Sequence, residues 1–364
     1  LLSFYNKGEI KNGYFNRNNW FDEIHVISLF DEEIDEEKVQ TLAGTGILKI
    51  HKFGKANLLN YKSFEKKIEK EIEKINPIII RAYNPLIQGW LATKIAIKLN
   101  KPIVISLHTN YEQQKNNVKK NKKYFQFLKL SYTKKILEKF VLKNSDAVIC
   151  VYDFIVPYAK KMGSKDISVI YNKVDLNKFS PECSKEFIST KNTILSVGRL
   201  IDQKDHSVII KSVKDLDVEL IIIGDGPNYH KLIDLIKQLK IENKVKIIKR
   251  ISYEKLNKYY VSCDIYVQPM MNLGGIPMPV LEAMASGLPI VMSKKDGNEI
   301  VDNAVLFVEN DPKEFQKAFE LILSNSEFKT KLIKKGLDTI KEINSEKMAE
   351  KEIELYKKLI NISQ

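Results

Sequence analysis

Cysteine, long apolar runs and low-complexity tracts are scarce in this chain, and each shortage excludes a class of protein. The cysteines Cys150, Cys183 and Cys263 have no metal-binding spacing and cannot form an even disulfide framework, so we expect a reduced, cytoplasmic compartment. No apolar run approaches the roughly 18–20 residues that span a bilayer. No long tract rich in Pro, Gly or Ser is present, which excludes an extended disordered region.

Positive charge is distributed unevenly along the chain. Its 364 residues suffice for two domains, each with its own core. Of the net charge of +13, about +12 lies in residues 1–180. A strongly basic half beside an almost neutral one favours a first half that meets an anionic surface: phospholipid, a phosphate-bearing acceptor or nucleic acid.

Short β-branched runs alternate with longer helical stretches, which is typical of βαβ units and parallel sheets. The pattern predicts an α/β fold of two doubly wound domains, residues 1–178 and 185–345, with a linker at 175–186. We expect a closing helix at about 346–364 to pack back on the first domain. The predicted strands are Glu23–Leu29, Pro77–Arg81, Pro102–His108, Ala147–Tyr152, Ser168–Tyr171, Thr193–Val197, Val218–Ile223, Val245–Ile248, Ile265–Gln268, Pro289–Met292 and Ala304–Val308.

Helical periodicity lies between several of these strands. In the first half it predicts helices over Phe64–Ile75, Ile87–Leu99 and Lys122–Lys143. A doubly wound domain usually opens with a strand and a glycine turn, and Leu1–Phe4 is all that remains of such a strand. Because the chain starts at Leu1 rather than Met, we expect this first strand to be truncated.

The first chemical motif is VGRLIDQK, residues 197–204, where a strand and a glycine turn are followed by two cations. At the carboxyl edge of a parallel sheet, Arg199 and Lys204 can converge on a diphosphate, one as a bidentate fork and the other as a mobile charge. The alternative is a solvated basic loop after an ordinary strand. On this motif alone the two interpretations have about even odds.

The second motif is IIIGDGP, residues 221–227, a buried strand that ends in a glycine turn. Gly224 allows the backbone to turn sharply and to approach a ligand closely. Many α/β domains have such a turn, so a purely structural role is the favoured interpretation.

The third motif is GGIPMPVLEAMASGLP, residues 274–289. Its two leading glycines, Gly274 and Gly275, precede a helix and leave backbone N–H groups free for phosphate at the positive end of the helix dipole. Glu282 is the carboxylate of an otherwise apolar stretch, so it needs a partner, and ribose hydroxyls would serve. A structural pair with a neighbouring amide or lysine is the alternative.

Taken in order, these motifs resemble the retaining glycosyltransferases of family 4. Further matches are KPIVISLH from 101, LKNSDAVICV from 142, VIYNKVDLNKF from 169 and YEKLNKYYVSCD from 253. The resemblance covers about residues 75–310. It implies a GT-B fold, with two Rossmann-like domains that face a central cleft.

The resemblance also implies roles for individual residues. Arg199 and Lys204 would hold the donor diphosphate, and Glu282 matches the second Glu of the family's E-x7-E motif, which binds the donor ribose. His108 matches the family histidine beside the donor sugar; from the residues alone, a core histidine at a strand end is favoured. The other donor-binding positions are the nucleobase site at Arg250 and Ile251, the glycine turn at Gly224, and the backbone of Gly274, Gly275, Ile276 and Pro277.

Two departures from the family pattern bear on the donor. Gly274 stands where the first Glu of E-x7-E is expected, so the donor-sugar contacts of that Glu must come from elsewhere or be absent. The Asn-Gly of the family's NGVD segment is Asn172-Lys173 here, which we interpret as a turn variant.

These matches predict a hexosyltransferase that moves a sugar from a nucleoside-diphosphate sugar to a hydroxyl of a glycan or lipid-linked acceptor, with retention. The acceptor would belong to cell-surface polysaccharide, glycolipid or glycoprotein glycan synthesis. We expect front-face attack and no cofactor or essential metal, because no DxD-type dyad is suitably placed and the cations take that role. The alternatives are a GT-B epimerase, which needs no acceptor, a phosphorylase, which needs phosphate, and a non-catalytic sugar-nucleotide-binding protein.

The segment Lys115–Lys143 carries ten lysines interleaved with aromatic residues. This composition suits a surface that lies on anionic lipid at the inner face of the membrane. A surface helix whose aromatic residues face the core is an equal alternative. No known nucleic-acid motif is present, so we expect no nucleic-acid partner.

Overall fold

A computed structural model describes residues 12–30, 34–112, 124–172, 174–271, 275–294 and 300–363 of the chain. The chain folds into two compact units: the first contains residues up to Tyr171 and those from Met348 onward, and the second runs from Asn172 to Lys347. The first boundary falls before the predicted 178, because Val174 pairs with Asn344 and the Phe179 ring packs on two tyrosines of the second unit. Leu1–Phe4 lies outside the described residues.

The first unit holds parallel strands with helices between them. Its strands are β1 (Glu23–Ser28), β2 (Ile47–Lys52), β3 (Ile80–Ala82), β4 (Ile103–Leu107), β5 (Ala147–Cys150) and β6 (Ile167–Val169). Its helices are α1 (Glu36–Val39), α2 (Glu65–Ile75), α3 (Ile87–Leu99), α4 (Tyr124–Thr133), α5 (Lys139–Asn144) and α6 (Val156–Met162).

These strands form two parallel sheets, β1-β2 and β3-β4-β5-β6. Every residue of β4 and β5 is buried, as expected for a sheet covered on both faces. Strand β2 was not predicted from the sequence: its ILKIHK run is short and half polar, and pairing with β1 supplies what its periodicity lacks.

The predicted helix Lys122–Lys143 differs from the structure in its middle. Residues Lys134–Glu138 form a π-helical turn between α4 and α5. The turn directs Glu138 into the interior, where it accepts hydrogen bonds from Thr133 Oγ1 at 3.0 Å and from the hydroxyl of Tyr158. Residues 122 and 123 lie outside the described part of the chain.

The second unit repeats the strand–helix alternation. Its strands are β7 (Asn192–Val197), β8 (Val218–Ile223), β9 (Val245–Ile248), β10 (Ile265–Gln268), β11 (Ile290–Ser293) and β12 (Val305–Val308). Its helices are α7 (His206–Ser212), α8 (Tyr229–Leu239), α9 (Tyr253–Ser262), α10 (Met278–Ala285), α11 (Pro312–Ser324) and α12 (Ser326–Glu342). The closing helix α13 (Ser345–Ser363) begins in this unit, and from Met348 it belongs to the first.

The sheet of the second unit is parallel throughout, in the order β12-β11-β10-β7-β8-β9. This is the Rossmann order, and the direction of winding reverses between β7 and β10. Ligands of such sheets bind outside the carboxyl ends of the strands at this switch point. Both chemical motifs with predicted phosphate contacts follow these two strands.

Among the described helices, none combines the length and the apolar character that a membrane-spanning segment requires.

Candidate active site

In the second unit, the turns after β7 and β10 lie side by side at the switch point. The amide of Met271, which follows β10, donates to the carbonyl of Gln203 at 2.9 Å. Arg199 and Lys204 therefore lie at the same edge of the sheet as the segment that leads into α10. Arg199 is exposed and Lys204 is half-buried.

Lys204 lies in a 3₁₀ turn just before α7, and its charge has no ion-pair partner among the described residues. No described residue accepts a hydrogen bond from its ammonium or forms an ion pair with it. Desolvation lowers the pKa of Lys204 to about 8. A lysine in this environment is suited to bind an anion, because a neighbouring negative charge stabilises the charged ammonium that desolvation destabilises.

Polar side chains that the sequence analysis missed form hydrogen bonds that hold the turn that carries Lys204. Asp205, at φ 20°, accepts from Ser207 Oγ at 2.6 Å and from Asn310 Nδ2 at 2.8 Å. Asn310 in turn accepts from Ser293 Oγ at 2.8 Å, and Ser293 Oγ accepts from the amide of Met270 at 2.9 Å. These partners are far apart in sequence, so no local pattern reveals the network.

The residue at position 224 must be glycine because a neighbouring carbonyl leaves no room for a side chain. A Cβ on this residue would lie 1.8 Å from the carbonyl oxygen of Gly198, and one on Gly226 would lie 2.4 Å from that of Leu200. The amide of Leu200 donates to the Asp225 carbonyl at 3.0 Å. The GDGP turn thus supports the 197–204 turn by close backbone approach, which is the structural role that the sequence favoured.

Glu282 lies on α10 and is only 4% exposed. Its two carboxylate oxygens accept hydrogen bonds from Tyr253 at 3.0 Å and from Tyr260 at 2.9 Å. Burial, and then the Glu282 charge, raises the pKa of both tyrosines. Two of the partners of Glu282 are therefore tyrosine hydroxyls.

The spacing of the two tyrosines was the available sequence signal. Tyr253 and Tyr260 are seven residues apart, so they share one face of α9 and can reach the same carboxylate. Each carboxylate oxygen can accept more than one hydrogen bond, so the two tyrosine contacts by themselves do not fill the acceptor capacity of Glu282.

The remaining predicted donor positions fall at different places in this unit. Gly275 is buried at φ 87°, Ile276 is buried, and Pro277 caps the start of α10. Arg250 is exposed and Ile251 half-buried, after the edge strand β9 and two strands from β7. Gly274 lies outside the described residues.

In the first unit, His108 follows β4 at the carboxyl edge of its sheet. Its ring stacks on Tyr83, which follows the neighbouring strand β3, with centroids 5.9 Å apart. Burial, and then the charge of Arg81, lowers the pKa of His108 to about 4, although the residue keeps an exposed surface. His108 is therefore neutral at pH 7. No group of three or more potential metal-ligating side chains occurs within the described ranges of either unit.

Comparison with known proteins adds two family matches and a shared fold. Residues 21–178 match the model for Glycosyltransferase Family 4, and residues 182–339 match the model for Glycosyl transferases group 1. The chain is 27% identical over 327 residues to Protein CapJ of Staphylococcus aureus, which covers 85% of this chain and 80% of CapJ.

Solved structures share this fold over nearly the whole chain. A sucrose-phosphate synthase from Thermosynechococcus elongatus aligns with a TM-score of 0.74 at 17% identity, over 94% of this chain and all of that one. Anabaena HepE in complex with UDP-glucose aligns with a TM-score of 0.69 at 15% identity, over 93% of this chain and all of HepE. At identities this low, the comparison shows a shared GT-B fold and nothing more specific.

Proposed function

We propose that this chain, which belongs to glycosyltransferase family 4 and to the group 1 glycosyl transferases, moves a hexosyl group from a nucleoside-diphosphate sugar to an acceptor hydroxyl with retention of configuration. The acceptor would be a glycan or a lipid-linked glycan of cell-surface polysaccharide, glycolipid or glycoprotein synthesis. That the chain is a glycosyltransferase follows from the family; the donor, the acceptor and the stereochemistry are the proposal.

One observation carries the proposal: the ammonium of Lys204, which has no ion-pair partner among the described residues, lies at the switch point of the sheet of the second unit. A diphosphate supplies the negative charge that this lysine lacks, and Arg199 follows the same strand within reach of a second phosphate oxygen. Glu282, held by two tyrosines, is suited to accept from ribose hydroxyls. These three residues match what a nucleoside-diphosphate sugar presents.

In this mechanism the protein stabilises the negative charge that develops on the departing diphosphate. Arg199 and Lys204 provide that charge stabilisation, and a phosphate oxygen of the leaving group takes the proton of the attacking hydroxyl. The C1–O bond to the acceptor forms on the face from which the diphosphate leaves. His108, neutral at pH 7, contributes a hydrogen bond beside the sugar and no charge.

Thermal stabilisation by UDP-, GDP- and ADP-sugars tests donor binding and identifies the base. A tight donor raises the melting temperature by mass action. We expect Lys204→Met and Arg199→Ala to abolish most of this shift, whereas Lys211→Met, an exposed lysine on α7, retains it. Undiminished turnover in Arg199→Ala counts heavily against the scheme.

We also propose that the two cations take the place of a metal. Transfer should then proceed at the same rate with EDTA as without it. A loss of transfer on chelation that is restored by a divalent ion contradicts this part of the proposal.

The glycine at position 274 favours one alternative, a protein that binds the sugar nucleotide without transferring it. Product analysis with donor and a mixed acceptor fraction separates the candidates: transfer, epimerised donor, phosphate-dependent cleavage or binding alone. If only binding is observed, Gly274→Glu, which completes the E-x7-E motif, should gain donor hydrolysis or transfer.

The described end of the Lys115–Lys143 segment supports an anionic membrane surface as a partner. Leu128, Tyr132 and Ile136 are 66%, 42% and 46% exposed, at intervals of four residues. Lysines at 135, 139 and 143 are also exposed, and they line a groove with Trp90, Ile136 and Phe140. Phe140 packs on the core, as the alternative interpretation expects, whereas Tyr132 faces solvent.

Sedimentation with phosphatidylglycerol and phosphatidylcholine vesicles tests this surface. We expect binding to the anionic vesicles alone, and its loss when Lys135, Lys139 and Lys143 are all changed to Gln. The matched control changes the exposed Lys331, Lys334 and Lys335 of α12, which removes the same charge from the second unit. Equally negligible binding to both kinds of vesicle would contradict the proposal that the membrane is a partner.

A further inference from the structure

A second cation without an ion-pair partner among the described residues lies in the first unit, apart from the residues assigned to the donor. Arg17 sits in a 3₁₀ turn that follows Tyr14, and its Nε is closed off from solvent. None of the described residues accepts a hydrogen bond from its guanidinium or forms an ion pair with it. Its guanidinium carbon lies 5.2 Å from the centroid of the Tyr14 ring.

Arg17 is one end of a stack that reaches His108. The Tyr14 and Tyr83 rings stack with centroids 6.1 Å apart, and Tyr83 stacks in turn on His108 at 5.9 Å. Arg81 lies over the Tyr83 ring at 4.7 Å. Tyr83 and His108 follow the adjacent parallel strands β3 and β4, so the cluster lies at the carboxyl edge of the β3-β4-β5-β6 sheet.

The charges of this cluster do not balance. Glu352 accepts from Arg81 at 2.6 Å and from the hydroxyl of Tyr356 at 3.1 Å, so the carboxylate is already engaged. Two guanidinium groups and one carboxylate therefore leave a net positive charge among these described residues, beside the neutral His108. Burial lowers the pKa of Arg17 below its ordinary value, and the charge of Glu352 opposes this effect only in part.

Two of the groups around Arg17 are hydroxyl donors. The hydroxyls of Tyr14 and Tyr83 make no hydrogen bond to other described residues, and burial raises the pKa of Tyr83 to about 12 and that of Tyr14 above its ordinary value. Both hydroxyls therefore keep their protons at pH 7. A planar guanidinium with two neutral hydroxyl donors matches an oxyanion, which accepts from all of them.

We propose that Arg17, with the hydroxyls of Tyr14 and Tyr83, binds an oxyanion carried by the acceptor, either a phosphate ester or a sugar carboxylate. The inference deepens the proposed function, on which its assignment to the acceptor rests. The donor diphosphate already has Arg199 and Lys204 in the second unit, whereas this site lies beside the histidine that resembles the family's residue at the reacting centre. The charge excess of residues 1–180 points the same way.

Trp20 provides a local probe of this site. It lies three residues after Arg17, and its ring stacks on that of Tyr356 with centroids 5.9 Å apart. The hydroxyl of Tyr356 accepts a hydrogen bond from the guanidinium of Arg81 at 2.5 Å. Titrations of the full chain with glycerol phosphate, glucuronate and uncharged glycerol, followed by tryptophan fluorescence, measure binding without any sugar nucleotide. A nucleoside diphosphate is titrated separately by thermal shift.

We expect glycerol phosphate or glucuronate to bind and glycerol not to bind. Arg17→Gln should weaken anion binding at least about tenfold, the loss of one or two charge-assisted hydrogen bonds. Lys66→Gln, which removes an exposed charge from α2 of the same unit, should leave it unchanged. Arg17→Lys keeps the charge without the planar fork and should give an intermediate affinity; it also stands in if Arg17→Gln does not fold.

Three results would overturn the proposal. The first is that neither anion binds, and the second is that Arg17→Gln and Lys66→Gln bind equally well. The third is that Arg17→Gln loses nucleoside-diphosphate binding to the same extent, which would assign the site to the donor. Failure of the proposed function looks different, because sugar nucleotides would then fail to stabilise even the wild-type chain.

Discussion

Lys204 holds a positive charge where it costs the fold free energy. Its pKa falls from an ordinary 10.5 to about 8, and each unit corresponds to about 1.4 kcal/mol. Since Lys204 is half-buried, solvent screens part of this penalty. Lys204→Met should therefore raise the free energy of unfolding at pH 7 by about 1–3 kcal/mol, measured in urea, although we expect it to remove donor binding. Equal or lower stability would show that the lysine is paired in solution.

The same pKa gives donor affinity a pH dependence. Above pH 8 the free protein loses the Lys204 proton, so affinity for a nucleoside diphosphate should fall, while Lys204→Met should be flat over this range. Stability moves in the opposite direction: from pH 8 to 10.5 the unfolded chain holds the proton that the folded chain has released, so the wild type gains stability relative to Lys204→Met. Isothermal titration and urea unfolding across pH 7–10 measure the two effects.

Glu282 accepts hydrogen bonds from two tyrosine hydroxyls. Tyr260→Phe removes one of these donors from a buried carboxylate, which should cost about 1–3 kcal/mol and weaken binding of the sugar nucleotide as well. Tyr259→Phe is the matched control, because it removes a neighbouring hydroxyl that makes no hydrogen bond to the described residues. Equal stability of the two variants contradicts the role given to Tyr260.

At the scale of the element, the 202–205 turn acts as a support for Lys204. Asn310→Ala removes the Nδ2 donor that holds Asp205 at its unusual φ of 20°. We expect donor affinity to fall severalfold, and the combination with Lys204→Met to cost no more than Lys204→Met alone, because Asn310 acts through the lysine.

The control for this experiment is Asn303→Ala, at an exposed position before β12. It should leave the affinity for the donor unchanged. Additive losses in the double variant would mean that Asn310 acts by another route.

The π-helical turn shows how an element can depart from its own periodicity. The wider turn carries Leu137 and Glu138 to the interior, and the hydroxyls of Thr133 and Tyr158 satisfy the buried carboxylate. The lysines on either side stay exposed, so the segment remains basic outside while it holds an acid inside.

At the scale of the molecule, the last helix ties the end of the chain to its first unit. Glu352 of α13 pairs with Arg81 of β3, with both side chains largely buried. Glu352→Ala leaves that guanidinium without its carboxylate and should destabilise the first unit by on the order of 3 kcal/mol. Both tryptophans of the chain, Trp20 and Trp90, lie in this unit, so tryptophan fluorescence during urea unfolding reports it selectively.

Glu350→Gln, at an exposed position of the same helix, serves as the control. It should leave the tryptophan transition in place. If Glu352→Ala also leaves it in place, the helix is not needed to hold the first unit together.

The sequence by itself determined the class of fold and the position of the motifs that we predict to bind the donor. Parallel strands buried on both faces read as apolar runs, and glycine turns mark their carboxyl ends, so β7, β8 and β10 with the motifs that follow them were predictable from local pattern. The family resemblance, carried by several motifs in fixed order, was confirmed.

Only the tertiary structure decided which groups surround these residues. The two tyrosines on Glu282, Asn310 behind Lys204, and Glu352 on Arg81 are brought together by folding from distant parts of the chain. Strand β2 and the π-helical turn likewise exist because of their neighbours. Burial and ion pairing depend on all of these neighbours at once, and for that reason the burial of the Lys204 and Arg17 charges could not be predicted from the sequence.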